Sequence, residues 1–166
     1  MTTDTLPQGD LRLLESDIAR NMLNSTELAR LAYVAPDGTP RVFPMLFRWN
    51  GEEVVFAAFA GTAKLTALRA RPDVAITIDV AGPPPQVLLV RGRAEVTYFD
   101  GVAPDYAAMQ ERYFGPEQAA AGLAEIDKPG LRMARIAIRP AWVGTFDFMT
   151  RFPGGLSAEE FARRGQ

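Results

Sequence analysis

The fold is decided by residues 31–78, which read LAYVAPDGTPRVFPMLFRWNGEEVVFAAFAGTAKLTALRARPDVAITI. Pro36-Asp37-Gly38 and Asn50-Gly51 are strong turn signals that divide the first half of this stretch into apolar runs. Turns this short cannot carry a crossover, so they favour antiparallel pairing over a parallel βαβ arrangement. The pattern predicts a three-stranded antiparallel meander over residues 28–34, 41–49 and 53–59.

Outside the meander, helical and strand-like periods alternate. Pro72 stops the first inserted helix, and Pro140 is expected to end the last strand. Ser157 and Glu160 form the pattern of a helix cap. We predict helices over residues 10–23, 63–71, 104–114, 116–125 and 157–164, and further strands over residues 74–80, 87–97 and 133–138.

These elements predict one domain over residues 1–166 that is mainly β with inserted helices, because no linker or repeat divides the chain. Residues 1–8 are expected to form a loose tail, and residues 141–166 a C-terminal extension. Six or so strands of this kind favour a closed or nearly closed antiparallel barrel. Trp142, Phe146, Phe148 and Phe152 form an aromatic cluster that we expect to pack between subunits, with a wall of the active site as the alternative.

Composition excludes several functional classes. The chain has 166 residues, of which 48% are hydrophobic and 23% charged, with a formal net charge of −2. No general attraction to nucleic acid is expected from that charge, and no apolar run is long enough to span a membrane. The polar start Met1-Thr2-Thr3-Asp4-Thr5 has no signal-peptide pattern, so a cytoplasmic location is expected.

The chain contains neither cysteine nor histidine. Thiolate nucleophiles, catalytic triads with histidine, and zinc sites with these ligands are therefore excluded, and no metal site is predicted. An enzyme without imidazole or thiol chemistry is expected to rely on an organic cofactor, which brings its own reactive centre.

A phosphate site is predicted at the start of the helix over residues 63–71. Thr62 can cap this helix, whose free N–H groups attract an anion, and Gly61 lets the backbone approach closely. Lys64 lies in the first turn, where the helix dipole disfavours a cation. A solvent-exposed lysine is the simpler alternative, and a bound phosphate explains the placement better.

Four short motifs resemble those of the pyridoxamine 5′-phosphate oxidase-like family of flavin-binding proteins. They lie at residues 41–45, 59–64, 71–75 and 86–95, in the order and spacing of that family. The resemblance implies an antiparallel split β-barrel and a homodimer that binds FMN at the subunit interface. A branch of the family uses a deazaflavin, and some members bind haem. The cofactor-binding residues it implies are Arg41, Val42, Phe43, Pro44, Phe59, Ala60, Gly61, Thr62, Lys64 and Gln86.

Several of these assignments have alternatives. Arg41 is either a solvated charge at the start of a strand or a cofactor contact. Pro44 marks an edge or a bulge, or a local opening beside the flavin. Ala63 stands where the family often has an arginine, so one charged contact to the phosphate is lost. The true oxidase uses a histidine-containing substrate motif, which this chain lacks.

Three functions follow from the resemblance. The first is an FMN-dependent oxidoreductase that acts on an unknown small molecule. The second is a deazaflavin-dependent reductase, whose longer anionic cofactor needs a basic track. The third is a flavin or haem binding or storage protein without turnover. No catalytic residue is assigned, and Tyr33, Tyr98 and Asp147 are acid candidates only by elimination. The basic track would use Arg48, Arg69, Arg71, Arg91 and Arg93.

Overall fold

Antiparallel hairpins build most of the structure, a computed structural model that describes residues 3–165. The seven strands form one sheet in the order β2-β1-β5-β6-β7-β4-β3. The strands are β1 (Ala29–Val34), β2 (Pro40–Met45), β3 (Arg48–Trp49), β4 (Val54–Phe59), β5 (Asp73–Val80), β6 (Gln86–Asp100) and β7 (Arg132–Phe146). The α-helices are α1 (Asp17–Asn24), α2 (Ala63–Ala70), α3 (Pro104–Phe114), α4 (Pro116–Ile126) and α5 (Ala158–Arg164). The prediction of a mainly β, antiparallel fold with inserted helices is confirmed.

The sheet closes on itself along a seam between β2 and β3. These two strands are at opposite ends of the sheet order, yet only Leu46 and Phe47 separate them in sequence. A link of two residues spans about 10 Å at most. The sheet must therefore curl until its two edges meet, which is the geometry of a split barrel.

The predicted three-stranded meander is wrong at residues 41–49. That stretch is two strands in two hairpins, because β2 pairs with β1 whereas β3 pairs with β4. Leu46 and Phe47 interrupt the ladder, and the Phe47 side chain is fully buried in the core. The Phe47 backbone is instead bound by α3: its N–H donates to the Tyr113 hydroxyl at 3.4 Å, and its carbonyl accepts from Arg112 at 2.9 Å.

The core lies inside the barrel, on the inward faces of the strands. On β5 and in the first half of β6 the buried residues fall at alternate positions, as expected for strands with one face in a core. Strands β4 and β7 also bury consecutive residues, so both of their faces are covered in part. Helix α1 also contributes to this core, with Met22 and Leu23 buried against the barrel. The largest fully buried side chains include Leu31, Phe47, Phe56, Ile76, Ile78, Leu88 and Ile136.

The last strand does not end at Pro140, as the sequence predicted, but continues to Phe146. The strand passes the proline by means of a β-bulge. Arg91 pairs with Trp142 while Gly92 pairs with Pro140, so Ala141 has no partner on β6. A bulge tolerates proline because the ladder is locally interrupted there. Residues 141–146 of the expected C-terminal extension thus belong to the sheet.

The N-terminal region differs from its prediction in two ways. A 3₁₀ helix (Leu11–Glu15) precedes α1, and Ser16 separates the two by accepting a hydrogen bond from the N–H of Ala19. Within residues 3–8, expected to form a loose tail, Thr3–Thr5 form a short 3₁₀ helix and Gln8 is bound to β7. The amide of Gln8 exchanges hydrogen bonds of 2.8 and 2.9 Å with the backbone of Thr145. Residues 1 and 2 of that tail lie outside the described range.

The aromatic residues near the C-terminus form three separate contacts rather than one cluster. Trp142 stacks under the guanidinium of Arg91, 4.0 Å from its ring centre. Phe146 and Phe148 meet edge to face at 5.1 Å, and Phe152 stacks on Phe161 at 4.9 Å. The predicted cap at Ser157 and Glu160 is present at the start of α5. None of the helices within residues 3–165 has the length and apolar character needed to cross a membrane.

Candidate functional site

A cavity of about 220 Å³ opens at the barrel seam. Strands β2 and β4 supply two of its walls, α2 lies at one end, and α3 covers a further side. We call it the seam cavity. Its lining residues are Phe43, Pro44, Met45, Leu46, Ala57, Ala58, Phe59, Thr62, Lys64, Tyr106, Met109 and Met133. The lining is apolar except at Thr62, Lys64 and Tyr106.

Thr62 is the N-cap of α2, and its backbone is extended, as an N-cap requires. Its side chain makes no capping hydrogen bond. The Oγ1 atom is buried and has no hydrogen-bond partner within the described part of the chain. Buried hydroxyl groups are normally paired, so this atom is available to a ligand.

Lys64 lies in the first turn of α2, two residues after Thr62, and also lines the seam cavity. Its ammonium nitrogen lies 4.0 Å from the centre of the Phe43 ring and 3.8 Å from the Met45 sulfur. No carboxylate among the described side chains lies within ion-pair distance of it. Partial burial lowers the pKa of Lys64 from its usual value, since desolvation disfavours the charged form.

Together these groups fit a phosphate. The first N–H groups of a helix lack intrahelical acceptors, and the dipole places partial positive charge there. Thr62 adds a hydroxyl donor and Lys64 a positive charge at the same helix end. The apolar remainder of the seam cavity suits a planar ring system. FMN carries both parts, so the residues present fit this cofactor.

Half of the ten predicted cofactor-binding residues line the seam cavity: Phe43, Pro44, Phe59, Thr62 and Lys64. Ala60 and Gly61 form the turn that joins β4 to α2, next to that set. Val42 is on the same strand but outside the lining, and 64% of its surface is exposed.

Arg41 and Gln86 lie elsewhere. The Arg41 guanidinium pairs with the Asp37 carboxylate at 3.3 Å, in the turn between β1 and β2. Gln86 accepts a hydrogen bond of 3.1 Å from the Asn21 amide, in a separate polar cleft near the start of α1. The structure therefore does not bring these two residues to the seam cavity of the same chain.

The five arginines considered for a basic track do not line the seam cavity either. Two are in ion pairs: Arg48 with Asp105 at 2.8 Å and Arg93 with Asp73 at 2.9 Å. Arg71 donates to the carbonyl of Ala35. The remaining two lie over aromatic rings, Arg91 over Trp142 and Arg69 over Tyr98.

The acid candidates chosen by elimination are also outside the seam cavity. Tyr33 and Tyr98 do not contribute to its lining. The Asp147 carboxylate accepts hydrogen bonds from the N–H groups of residues 149, 150 and 151 and thereby stabilises a turn.

Sequence reasoning missed the wall that α3 and β7 contribute. Tyr106 and Met109 come from α3, and Met133 from β7. The Tyr106 ring is tilted against Phe59, with 6.3 Å between ring centres. No local motif marks these residues, since they reach the site only through the folding of the barrel.

Comparison with known proteins places the chain. The sequence model of the pyridoxamine 5′-phosphate oxidase family matches residues 16–145. None of the curated proteins compared with the chain matches it.

Solved structures agree on the fold. An F420 reductase is 29% identical, covering 75% of this chain and 94% of its own, with a TM-score of 0.57. A conserved hypothetical protein of Mycobacterium tuberculosis is 20% identical over 81% of this chain and 86% of its own, with a TM-score of 0.63. The haem storage protein HutZ of Vibrio cholerae is 17% identical over 77% of this chain and 90% of its own, with a TM-score of 0.53. The family match covers residues 16–145, which include the strands β2 and β4 on either side of the seam cavity. The chain therefore belongs to the pyridoxamine 5′-phosphate oxidase family.

Proposed function

We propose that this protein is an FMN-dependent oxidoreductase that acts on a small molecule, and that two chains hold the cofactor at their interface. One observation carries the proposal: at a single end of an apolar cavity, the start of α2 presents an unpartnered buried hydroxyl on Thr62 and an unpaired ammonium on Lys64. That combination calls for an anion attached to an apolar group. FMN has this form, and when bound it supplies hydride-transfer chemistry.

The chain's own residues would bind and orient the cofactor. Thr62 would donate its hydroxyl hydrogen to the phosphate, and Lys64 would balance its charge. Phe43 and Phe59 would pack on the ring and exclude water from it. We assign no side chain to proton transfer.

Two observations support an interfacial site. The seam cavity, at about 220 Å³, is smaller than the roughly 300–1,000 Å³ typical of ligand sites, so one chain supplies only part of the enclosure. Val42 and Phe43 on β2 and Phe59 on β4 are exposed apolar side chains beside it. A second chain covering them would complete the walls.

The test is titration of the ligand-free protein with FMN, followed by anaerobic reduction with NADPH. We expect saturable binding at one FMN per chain and reduction of the bound cofactor. Absence of FMN binding would overturn the proposal. Binding without reduction by NADPH or another physiological donor would favour a storage role instead.

A deazaflavin is the alternative cofactor, because an F420 reductase is 29% identical to this chain. The arginines considered for its longer anionic tail do not line the seam cavity, so we propose FMN as the first cofactor to test. Parallel titrations with FMN and the deazaflavin compare the two directly. Tighter binding of the deazaflavin, by tenfold or more, would reverse the order.

Haem binding is a second candidate function, favoured by the sulfur atoms of the seam cavity. Met45, Met109 and Met133 line it together with Tyr106. Methionine and tyrosine both serve as axial ligands of haem iron. A haem titration monitored at the Soret band tests this, with Met109→Leu and Met133→Leu variants to locate the ligand.

A further inference from the structure

Tyr106 lines the seam cavity from the side formed by α3, and it carries a hydroxyl group. Among the side chains that the structure describes, none forms a hydrogen bond with its hydroxyl. Burial raises the pKa of Tyr106, because desolvation disfavours the phenolate, so the hydroxyl stays protonated at neutral pH. Thr62 and Lys64 belong to α2, whereas Tyr106 belongs to α3, and apolar side chains make up the rest of the lining.

The preceding residue, Asp105, fixes the start of α3 to the barrel. Its two carboxylate oxygens bind different arginines: Oδ1 lies 2.8 Å from Arg48 on β3, and Oδ2 lies 2.7 Å from Arg135 on β7. Arg135 also pairs with Glu53 at 2.8 Å. The Asp105 side chain is only 16% exposed, so these pairs are less screened by solvent than surface pairs are.

The other end of α3 is held separately. Arg112 donates to the carbonyls of Phe47 and Leu23, and the Tyr113 hydroxyl donates to the carbonyl of Glu27. Two anchors along one helix fix its rotation as well as its position. The anchor at Asp105 is the one adjacent to Tyr106, and it therefore holds the backbone from which the phenol extends.

We propose that Tyr106 is a specificity-determining residue of the seam cavity, which donates its hydroxyl hydrogen to a carbonyl oxygen or ring nitrogen of a planar ligand, and that Asp105 is its positioning residue. The proposal rests on the proposed function, because it assumes that the cavity holds the ring system of the cofactor or of a substrate on it. It adds a requirement for the ligand: a hydrogen-bond acceptor on the ring system, separate from the phosphate.

The experiment uses riboflavin and FMN as probes, since they share the ring and differ in the phosphate. Dissociation constants for both are measured with the full chain and with Tyr106→Phe, Asp105→Asn and the double substitution. Two matched controls are Tyr98→Phe, on β6 outside the cavity, and Asp73→Asn, whose pair with Arg93 leaves its side chain 81% exposed. Circular dichroism and thermal melting verify that each variant is folded.

We expect Tyr106→Phe to weaken both ligands by the same factor, about 3- to 10-fold, as loss of one hydrogen bond predicts. Asp105→Asn alone should also weaken the binding of both ligands. In the chain that already carries Tyr106→Phe, it should cause no further loss of affinity, because it acts through the Tyr106 hydroxyl. The visible absorption band of bound riboflavin should shift in both single variants, a change that a purely structural role of Asp105 would not produce.

The outcomes separate this inference from the proposed function. If FMN binds the unsubstituted chain and Tyr106→Phe leaves both affinities and the absorption band unchanged, the role of Tyr106 is wrong while the proposed function stands. If the effects of Asp105→Asn and Tyr106→Phe multiply, the positioning role of Asp105 is wrong. If neither flavin binds the unsubstituted chain, both proposals fail.

Discussion

Lys64 on α2 and Phe43 on β2 form a cation–π contact in the seam cavity, with the ammonium nitrogen 4.0 Å from the ring centre. A partly buried ammonium group loses some of its hydration. In the ligand-free chain, the face of an aromatic ring compensates for part of that loss. A charge-assisted hydrogen bond to a phosphate oxygen is stronger than this contact. Lys64 is therefore held close to its proposed ligand without being neutralised by another residue.

Lys64→Met should selectively weaken phosphate binding. The chain has one other lysine, Lys128, which lies after α4 and serves as the matched control in a Lys128→Met variant. Loss of a charged hydrogen bond should reduce FMN affinity about 10- to 100-fold. Riboflavin affinity should stay the same, and Lys128→Met should affect neither ligand. Isothermal titration calorimetry measures the six dissociation constants of the unsubstituted chain and the two variants, and equal losses for FMN and riboflavin would contradict the assignment.

FMN affinity should fall as pH rises through the pKa of Lys64. Burial lowers that pKa below the value of an ordinary lysine, so the decline begins at a lower pH than for an exposed lysine. The charged form binds the phosphate, which fixes the sign: affinity is highest below the pKa. A titration of FMN affinity from pH 7 upward measures it. Lys64→Arg is the control, because its guanidinium stays charged and should remove the decline.

Thr62→Val should weaken FMN binding without lowering the stability of the ligand-free chain. The substitution replaces the hydroxyl with a methyl group of similar shape, and this hydroxyl is buried without a partner. Its removal should leave the free energy of unfolding of the ligand-free chain equal or raise it by about 1 kcal/mol. FMN affinity should fall, since one donor to the phosphate is lost. Thermal melting with and without FMN shows both effects, and a lower melting temperature without ligand would argue against the unpaired state.

Val42→Lys should dissociate the proposed dimer. Val42 lies on the edge strand β2 and is 64% exposed, and a charge there would be buried by a second chain. Leu11→Lys is the matched control, because Leu11 is 46% exposed on the N-terminal 3₁₀ helix, which packs on β7 and α1 rather than on β2. Sedimentation equilibrium should give a dimer for the unsubstituted chain and Leu11→Lys, and a monomer for Val42→Lys. A dimer in all three samples would place the interface elsewhere.

Gly92→Ala should destabilise the barrel at the bulge beside Pro140. A Cβ atom at this position would lie 2.5 Å from the carbonyl oxygen of Arg139, a backbone atom that cannot move aside freely. We expect a loss of about 1–3 kcal/mol in the free energy of unfolding. In contrast, Gly122→Ala in α4 meets no atom within 4 Å and should stabilise by about 0.5–1 kcal/mol. Urea denaturation of the two variants measures the contrast.

The parts of the structure that sequence predicts best are those that local signals determine. Helix α2 was predicted with its cap at Thr62 because the change from strand to helix period and Pro72 both lie within ten residues. Thr62 and Lys64 followed from the same local argument, and both line the cavity.

Contacts between distant parts of the chain were beyond such reasoning. The break at Phe47 depends on Arg112 and Tyr113, more than 60 residues later in the chain. The same holds for Tyr106, since only the closed barrel brings it beside Phe59. Pro140 misled the prediction for a related reason: a proline ends an isolated strand, whereas the bulge opposite Gly92 allows this strand to continue.

The edge strand β2 also limits how two chains can associate. Pro40 and Pro44 are four residues apart, so their nitrogens face the same side of the strand, and neither carries a hydrogen. Along that side between them, only Val42 retains an N–H. A strand from another molecule would meet one backbone N–H donor where three are normal. Continuation of the sheet from chain to chain is therefore disfavoured, and so is the fibre growth that such pairing permits. If two chains associate over β2 as proposed, their contact would form through side chains rather than through a continued sheet.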